Sequence, residues 1–194
     1  MNAYKQRCPW VGSNPLFLSY HDEEWGVPVH DDHQLFEAVV LEGAQAGLSW
    51  MTILKRRKNY RNAFDNFDPN KVAVYDEKDI ERLLKDNGII RNRLKIKSAI
   101  NNARMALKIQ QEYGSLDKFM WQFVGGKPII NKWKSGKEVP VTTPASDSMS
   151  KALKKAGFTF IGSTTCYALM QSVGMVNDHT VDCYRYDEIN QLNR

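Results

Sequence analysis

The sequence predicts an all-α protein of eight or nine helices. Almost no segment alternates apolar and polar residues with period two. Instead, apolar residues recur at helical spacings between Asp, Ser, Asn, Pro and Gly punctuation. With 194 residues, 42% of them hydrophobic and 25% charged, the chain can bury one full core or two lobes sharing one. No internal repeat is visible.

Taken in order, residues 1–31 read as irregular and aromatic, with Trp10, Phe17, Tyr20 and Trp25 set among Gly12, Pro15 and Pro28. Such a segment stays ordered only by laying its rings on the rest of the protein. Asp31-Asp32 can cap a helix whose apolar stripe holds Leu35, Val39 and Ala46, with Glu42 on the same face. Ser49 caps a helix over 50–64, with Trp50, Ile53 and Leu54 inward and Lys55, Arg56, Arg57 and Lys58 outward. Asp68-Pro69 starts a short helix, and Asp76 starts another that Asn87-Gly88 stops. A long helix over 89–114 puts Ile89, Ile96, Ile100, Ala103 and Leu107 on its apolar side; Gly114-Ser115 breaks it before a short helix ending at Gly125-Gly126. Residues 126–145 show no helical period and read as a loop. A helix resumes at Ser146-Asp147 and ends at Gly157, a hairpin and helix follow over 158–174, and the polar tail 184–194 is expected to fray.

Glu42 is the first residue with chemical promise. An inward carboxylate is costly unless a positive or hydrogen-bonding group meets it, and the large aromatic Trp50 follows across the Gly43/Gly47 stretch. Together they suit a flat cation, although a Glu turned back to solvent fits this stretch equally. In FTFIGSTTCYALMQSVG, Gly162 lets the backbone approach a phosphate and the next helix supplies amides, with Lys151, Lys154 and Lys155 on the preceding helix; Gly-containing helical hairpins are also common connectors. His179 and Cys183 are four apart and on a helix would share one face; Cys8 and His21 would complete a Cys₂His₂ zinc set tethering the two chain ends. Cys166 falls on an apolar helix face and reads as core, while His30 and His33 read as exposed. A net charge of +5 and a pI near 9.0 suit a polyanionic partner without demanding one. No run of 18 apolar residues and no signal-peptide pattern is present, so the expectation is a cytoplasmic protein with no membrane role.

The stretches CPWVGSNPLFLSYHDEEWGVP, LFEAVVLEGAQAGLSWMTILKRRKNYRNAFDNFDP, GIIRNRLKI and SKALKKAGFTFIGSTTCYALMQSVGMVNDH closely resemble the 3-methyladenine DNA glycosylase I family, from about residue 8 to residue 183. The resemblance implies a single helix-hairpin-helix DNA glycosylase unit that releases 3-methyladenine from alkylated double-stranded DNA. It has an aromatic segment at 8–31, a helical region with the base pocket at 32–125, and a hairpin and zinc-ligand region at 146–183. It implies one structural zinc on Cys8, His21, His179 and Cys183, and Glu42 at the catalytic position. Tyr20 and Trp50 match its pocket residues, with Trp10 and Trp25 as lining. Gly162, Lys151 and Lys155 are expected on DNA phosphates. Leu48 is a candidate wedge in the duplex, or else a core leucine. A monomer is expected. The wider superfamily places a catalytic Asp after the hairpin helix; here Asn177 stands at what looks like that place, with Asp178 one position on. A zinc hydrolase and a non-catalytic damaged-DNA binding module are the rival classes. A closed set of four protein ligands counts against the hydrolase.

Overall fold

The computed structural model describes residues 5–192. It is mostly helical, but the first helix lies inside the segment expected to be irregular. Helix α1 (Pro15–Glu23) starts because the Asn14 side chain accepts from Leu16 N, and Pro15 occupies a first-turn position that needs no N–H. The Asn-Pro pair looks like a turn signal and is here a helix start. Helix α2 (Asp32–Gln45) is capped by Asp31, whose side chain accepts from Gln34 N at 2.9 Å. It ends before Ala46, which is exposed, so the buried stripe runs through Leu35, Val39 and Glu42 without it.

The helix expected over 50–64 is two helices, α3 (Trp50–Leu54) and α4 (Arg57–Ala63). Their break separates the basic residues. Arg57 turns to Glu24 in a two-armed pair (Nη2 to Oε1, 2.7 Å) and Arg56 bonds Thr52 O at 3.1 Å, which leaves Lys55 and Lys58 as the exposed cations. Asp65, Asn66 and Phe67 turn the chain through left-handed φ into α5 (Pro69–Val72). A capping box of Asp76 and Asp79 opens α6 (Glu77–Lys85). The long helix α7 (Arg93–Tyr113) starts after its Asn92 cap rather than at Ile89, and α8 (Leu116–Trp121) follows a Ser115 cap.

The 126–145 loop carries a two-residue strand, β1 (Ile129–Ile130), and its last two residues belong to a helix. That helix, α9 (Pro144–Lys155), begins with a Thr143–Ser146 capping box. Helix α10 (Ser163–Ser172) comes next, and then β2 (Val176–Asn177), which pairs in parallel with β1. Residues 193–194 lie outside the described residues, and the described part of the tail does not fray as expected. It forms α11 (Tyr184–Leu192), anchored by fully buried Ile189 and by Asn177 Nδ2, which donates to Tyr186 O at 3.1 Å and Asn190 Oδ1 at 2.9 Å.

The main core packs α7 (Ile96, Ile100, Ala103, Ile109) against α2, α5 and α8, and α2 in turn packs against α10, which pairs with α9. Leu107 is only half-buried; Ala106 and Ile109 take the inward positions. A smaller cluster joins Cys8, Val11, Tyr20, Trp25, Leu54 and Cys183, and Trp50 packs against both. As expected, Cys166 is core and His30 is exposed, whereas His33 is half-buried. No helix among the described residues is long and apolar enough to cross a membrane.

The N-terminal segment docks on the end of α10 by backbone bonds, Gly26 N to Gln171 O at 3.1 Å and Val29 N to Val173 O at 3.1 Å. Gly174 makes that possible: its φ is +71°, and a Cβ there would stand 2.4 Å from Pro28 N and from Val27 C. Gly174→Ala is therefore expected to cost at least about 2 kcal/mol, from left-handed strain plus backbone overlap. For a chain of this size that lowers Tm by roughly 5 °C or more, measurable by thermal melting.

Candidate functional site

Five elements converge on one cavity of about 340 Å³. The turn around Pro9 brings Trp10, α1 brings Tyr20, α2 brings Glu42, α3 brings Trp50 and α10 brings Gln171; Trp25 follows α1. With Phe17 of α1, five aromatic rings thus wall the space. Trp10 meets Trp25 edge-on at 5.0 Å between centroids, and Tyr20 meets Trp50 at 5.5 Å and 49°. Trp10 is 40% exposed and stands at the rim, whereas Tyr20 and Trp25 are buried.

Glu42 is 5% exposed and forms no salt bridge among the described residues. Burial pushes its carboxyl up to about 8, with Ser172 pulling part of the way back. Burial first, and the charge of Glu42 second, hold Tyr20 as a neutral phenol. The site is an aromatic slot with a buried Glu42 carboxyl that forms no ion pair among the described residues, an arrangement that favours a flat, positively charged guest.

Behind the slot, Cys8, His21, His179 and Cys183 are all buried, and their ligand atoms lie within 4.8 Å of one another. Cys8 Sγ is 3.5 Å from His179 Nδ1; Cys183 Sγ is 3.4 Å from His21 Nε2 and 3.5 Å from His179 Nδ1. A tetrahedral ion with bonds of about 2.3 Å to sulfur and about 2.0 Å to nitrogen sets sulfur–nitrogen separations of about 3.5 Å. The remaining ring nitrogens are held as metal-binding histidines are. His21 Nδ1 faces Asp22 at 2.8 Å and His179 Nε2 faces Trp25 O at 3.0 Å, leaving His21 Nε2 and His179 Nδ1 as ligand atoms. The Arg7 guanidinium holds Asp22 well below the usual carboxylate range. Cys8 first, and then the His179 and His21 nitrogens, pull the Cys183 thiol down, whereas Cys183 and burial push Cys8 up. The cluster is able to hold a metal. His179 and Cys183 do not share a helix, however: residues 178–183 form a turn closed by Cys183 N to Thr180 O at 2.8 Å, which delivers both to one side.

On the outer surface, Leu48 is 39% exposed at the tip of the turn between α2 and α3. Lys95 Nζ donates to Ala44 O at 2.8 Å and Ala46 O at 2.7 Å, and Leu48 N donates to Gln45 O at 2.7 Å. Leu48 is therefore held out on a stiff turn and is not core. Gly162 caps α10 with φ −70°, and a Cβ there would meet nothing within 4 Å. Lys151 and Lys155 are exposed on α9.

Three contributors carried no readable signal. Lys95 is one basic residue among many, and Gly136 and Val139 line the cavity from the loop without period. Asp178 also lines it, with both oxygens filled by hydrogen bonds, whereas Asn177 faces α11.

Residues 10–186 match the family model described as methyladenine glycosylase. The DNA-3-methyladenine glycosylase 1 of Escherichia coli (strain K12) is 52% identical over 181 residues, covering 93% of this chain and 97% of its own. A crystal structure of a 3-methyladenine DNA glycosylase I superposes with a TM-score of 0.91 at 52% identity, covering 92% of this chain and 98% of that one. The Staphylococcus aureus 3-methyladenine DNA glycosylase I, whose structure describes 3-methyladenine recognition, superposes with a TM-score of 0.90 at 37% identity, covering 94% and 97%. The chain belongs to the methyladenine glycosylase family.

Proposed function

We propose that the chain is a single base-excision DNA glycosylase unit of the helix-hairpin-helix type, cytoplasmic, hydrolysing the bond between 3-methyladenine and its deoxyribose in double-stranded DNA. The observation that carries the reading is Glu42, a buried carboxyl without a counter-charge, facing an aromatic cavity. Methylation at N3 makes the base cationic, so its bond to C1′ is already weak. The protein must extrude the nucleotide, hold the cation and admit water. Water oxygen bonds to C1′, the C1′–N9 pair leaves with the base, the base is released neutral, and the water proton passes to solvent.

Glu42 accepts from the base edge and supplies the opposite charge. Tyr20 and Trp50 offer π-faces, where a desolvated cation–π contact contributes about 2 kcal/mol; Trp10 and Trp25 enclose them. Neutral adenine loses these charge terms. Leu48 fills the gap left in the duplex, and the amides at Gly162 with Lys151 and Lys155 grip phosphate. Cys8, His21, His179 and Cys183 would hold one zinc, which supplies cross-linking and no chemistry, since no coordination position stays open. They tie the segment bearing Trp10, Tyr20 and Trp25 to the turn after β2.

Metal analysis should find close to one zinc per chain, and Cys183→Ala should lose it with a fall in Tm. Full zinc in both Cys8→Ala and Cys183→Ala would sink the structural-zinc reading. The amide grip predicts that Gly162→Val weakens binding to any duplex by about tenfold, the scale of one hydrogen bond to a charged group, while free 3-methyladenine binds as before. An equal loss for the free base would make the hairpin a support for the pocket instead.

Glu42 sets the pH dependence. A cationic guest needs the carboxylate, and the empty site favours the acid up to about 8. Excision at limiting DNA should therefore rise with pH to about 8 and flatten above it. At saturating DNA the rise should fall at lower pH, because the bound cation favours ionisation. Glu42→Gln should abolish both rises and weaken free-base binding by roughly 1.5–3 kcal/mol, with excision reduced by a comparable factor. A general base would behave otherwise, losing about 10²–10⁴-fold in excision with affinity unchanged. Stability carries the opposite sign. A raised carboxyl destabilises the empty fold progressively from the ordinary carboxylate range up to about 8, so Glu42→Gln should raise Tm at pH about 9.

A further inference from the structure

Residues 131–139 form no regular element, yet Gly136 and Val139 line the same cavity as Glu42 and Trp50. A wall made of loop keeps its shape only if something fixes its backbone. The fixing group is Asp178, 3% exposed. Its Oδ1 accepts from Asn131 Nδ2 at 2.7 Å and Trp133 Nε1 at 2.7 Å. Its Oδ2 accepts from the Tyr167 hydroxyl at 2.7 Å and Gln171 Nε2 at 2.8 Å. One carboxylate thus binds two loop side chains to two side chains of α10. Backbone bonds continue the tie: Asn131 N donates to Asn177 O at 3.3 Å and Val181 N to Trp133 O at 2.9 Å.

We propose that Asp178 is a positioning residue that sets the 131–139 loop as one wall of the base pocket, and that Gly136 on this wall determines how large a base the pocket admits. The proposal rests on the glycosylase reading above. Two oxygens offer about four lone-pair sites, and all four are taken by donors, so Asp178 is poorly placed to accept a proton from the attacking water. Removing it loosens the wall. Gly136 is not in the left-handed region, and a Cβ added there meets nothing within 4 Å. A side chain at that position is unstrained and occupies open space on a residue that borders the cavity.

The test compares the full chain with Gly136→Val, Trp133→Phe and Asp178→Asn in four measurements: Tm, free 3-methyladenine affinity, single-turnover excision and amide exchange across 131–139. Gly136→Val should keep its Tm and lose affinity and excision together by about tenfold or more, the scale of overpacking a fitted site. Trp133→Phe keeps an aromatic ring of smaller size and deletes, with the pyrrole half of the indole, one donor to Asp178. It should speed exchange in the loop and lower affinity and excision in parallel, with Asp178→Asn following the same pattern. Unchanged 3-methyladenine affinity in Gly136→Val would overturn the role of Gly136. Collapsed excision in Asp178→Asn with affinity and loop exchange intact would overturn the positioning role and make Asp178 a participant in the reaction. If the unmutated chain neither binds nor releases 3-methyladenine, the glycosylase reading falls, and loop exchange in Trp133→Phe still judges the tether by itself.

Discussion

Everything in this fold answers to one buried charge site. Glu42 lies on the inward stripe of α2 with no cation beside it, so folding must bury a group that prefers water. The empty protein lowers that cost by keeping the carboxyl protonated across much of the neutral range. The same choice leaves a full unit of charge to be regained when a cation enters. The surrounding elements enclose Glu42 without neutralising it. The nearby arginine, Arg57, is engaged by Glu24. Aromatic rings, which accept a cation's charge but carry none, form a large part of the wall.

Distant parts of the chain must meet to build that wall. Trp10 and Trp25 come from the first thirty residues, and Gln171 and Asp178 from the last thirty. A short aromatic segment has too little buried area to fix itself. It is fixed by backbone bonds to the end of α10, by the close approach at Gly174, and by the Cys8–His21–His179–Cys183 cluster. Trp25 links the cluster to the cavity, because its carbonyl faces His179 while its ring borders the cavity. Cluster and pocket are therefore neighbouring parts of one construction, and loss of the cluster is expressed first in the position of the rings.

Much of this was legible from residue spacing. The Glu42 stripe and the capping residues each follow a local rule, and these local rules survive folding. What failed to read depended on distant partners. The 50–64 pattern looks continuous, and the split at residues 55–56 sends Arg57 to Glu24, thirty-three positions earlier. The polar tail holds its helix because Asn177 reaches Tyr186 O and Asn190. His179 and Cys183 were paired correctly for the wrong local reason, since a turn rather than a helix aligns them. Gly136 and Val139 carried no signal, and Asp178 was legible only as a neighbour of Asn177, because their places exist only once the loop has folded back over the cavity.

The placement of Asn177 and Asp178 bears on how little acid–base chemistry the site requires. A neutral base is a poor leaving group and needs a proton or a strong nucleophile, which a free carboxylate near C1′ can supply. Here Asn177 is an amide turned toward α11, and the neighbouring Asp178 carboxylate already accepts four hydrogen bonds. Such an arrangement is adequate only when the leaving group is weakly bonded from the start, as a cationic base is. Selectivity then follows without a separate editing step. A neutral purine that entered the slot would meet a protonated Glu42 and no free carboxylate to assist departure, so recognition and chemistry would reject it for the same electrostatic reason.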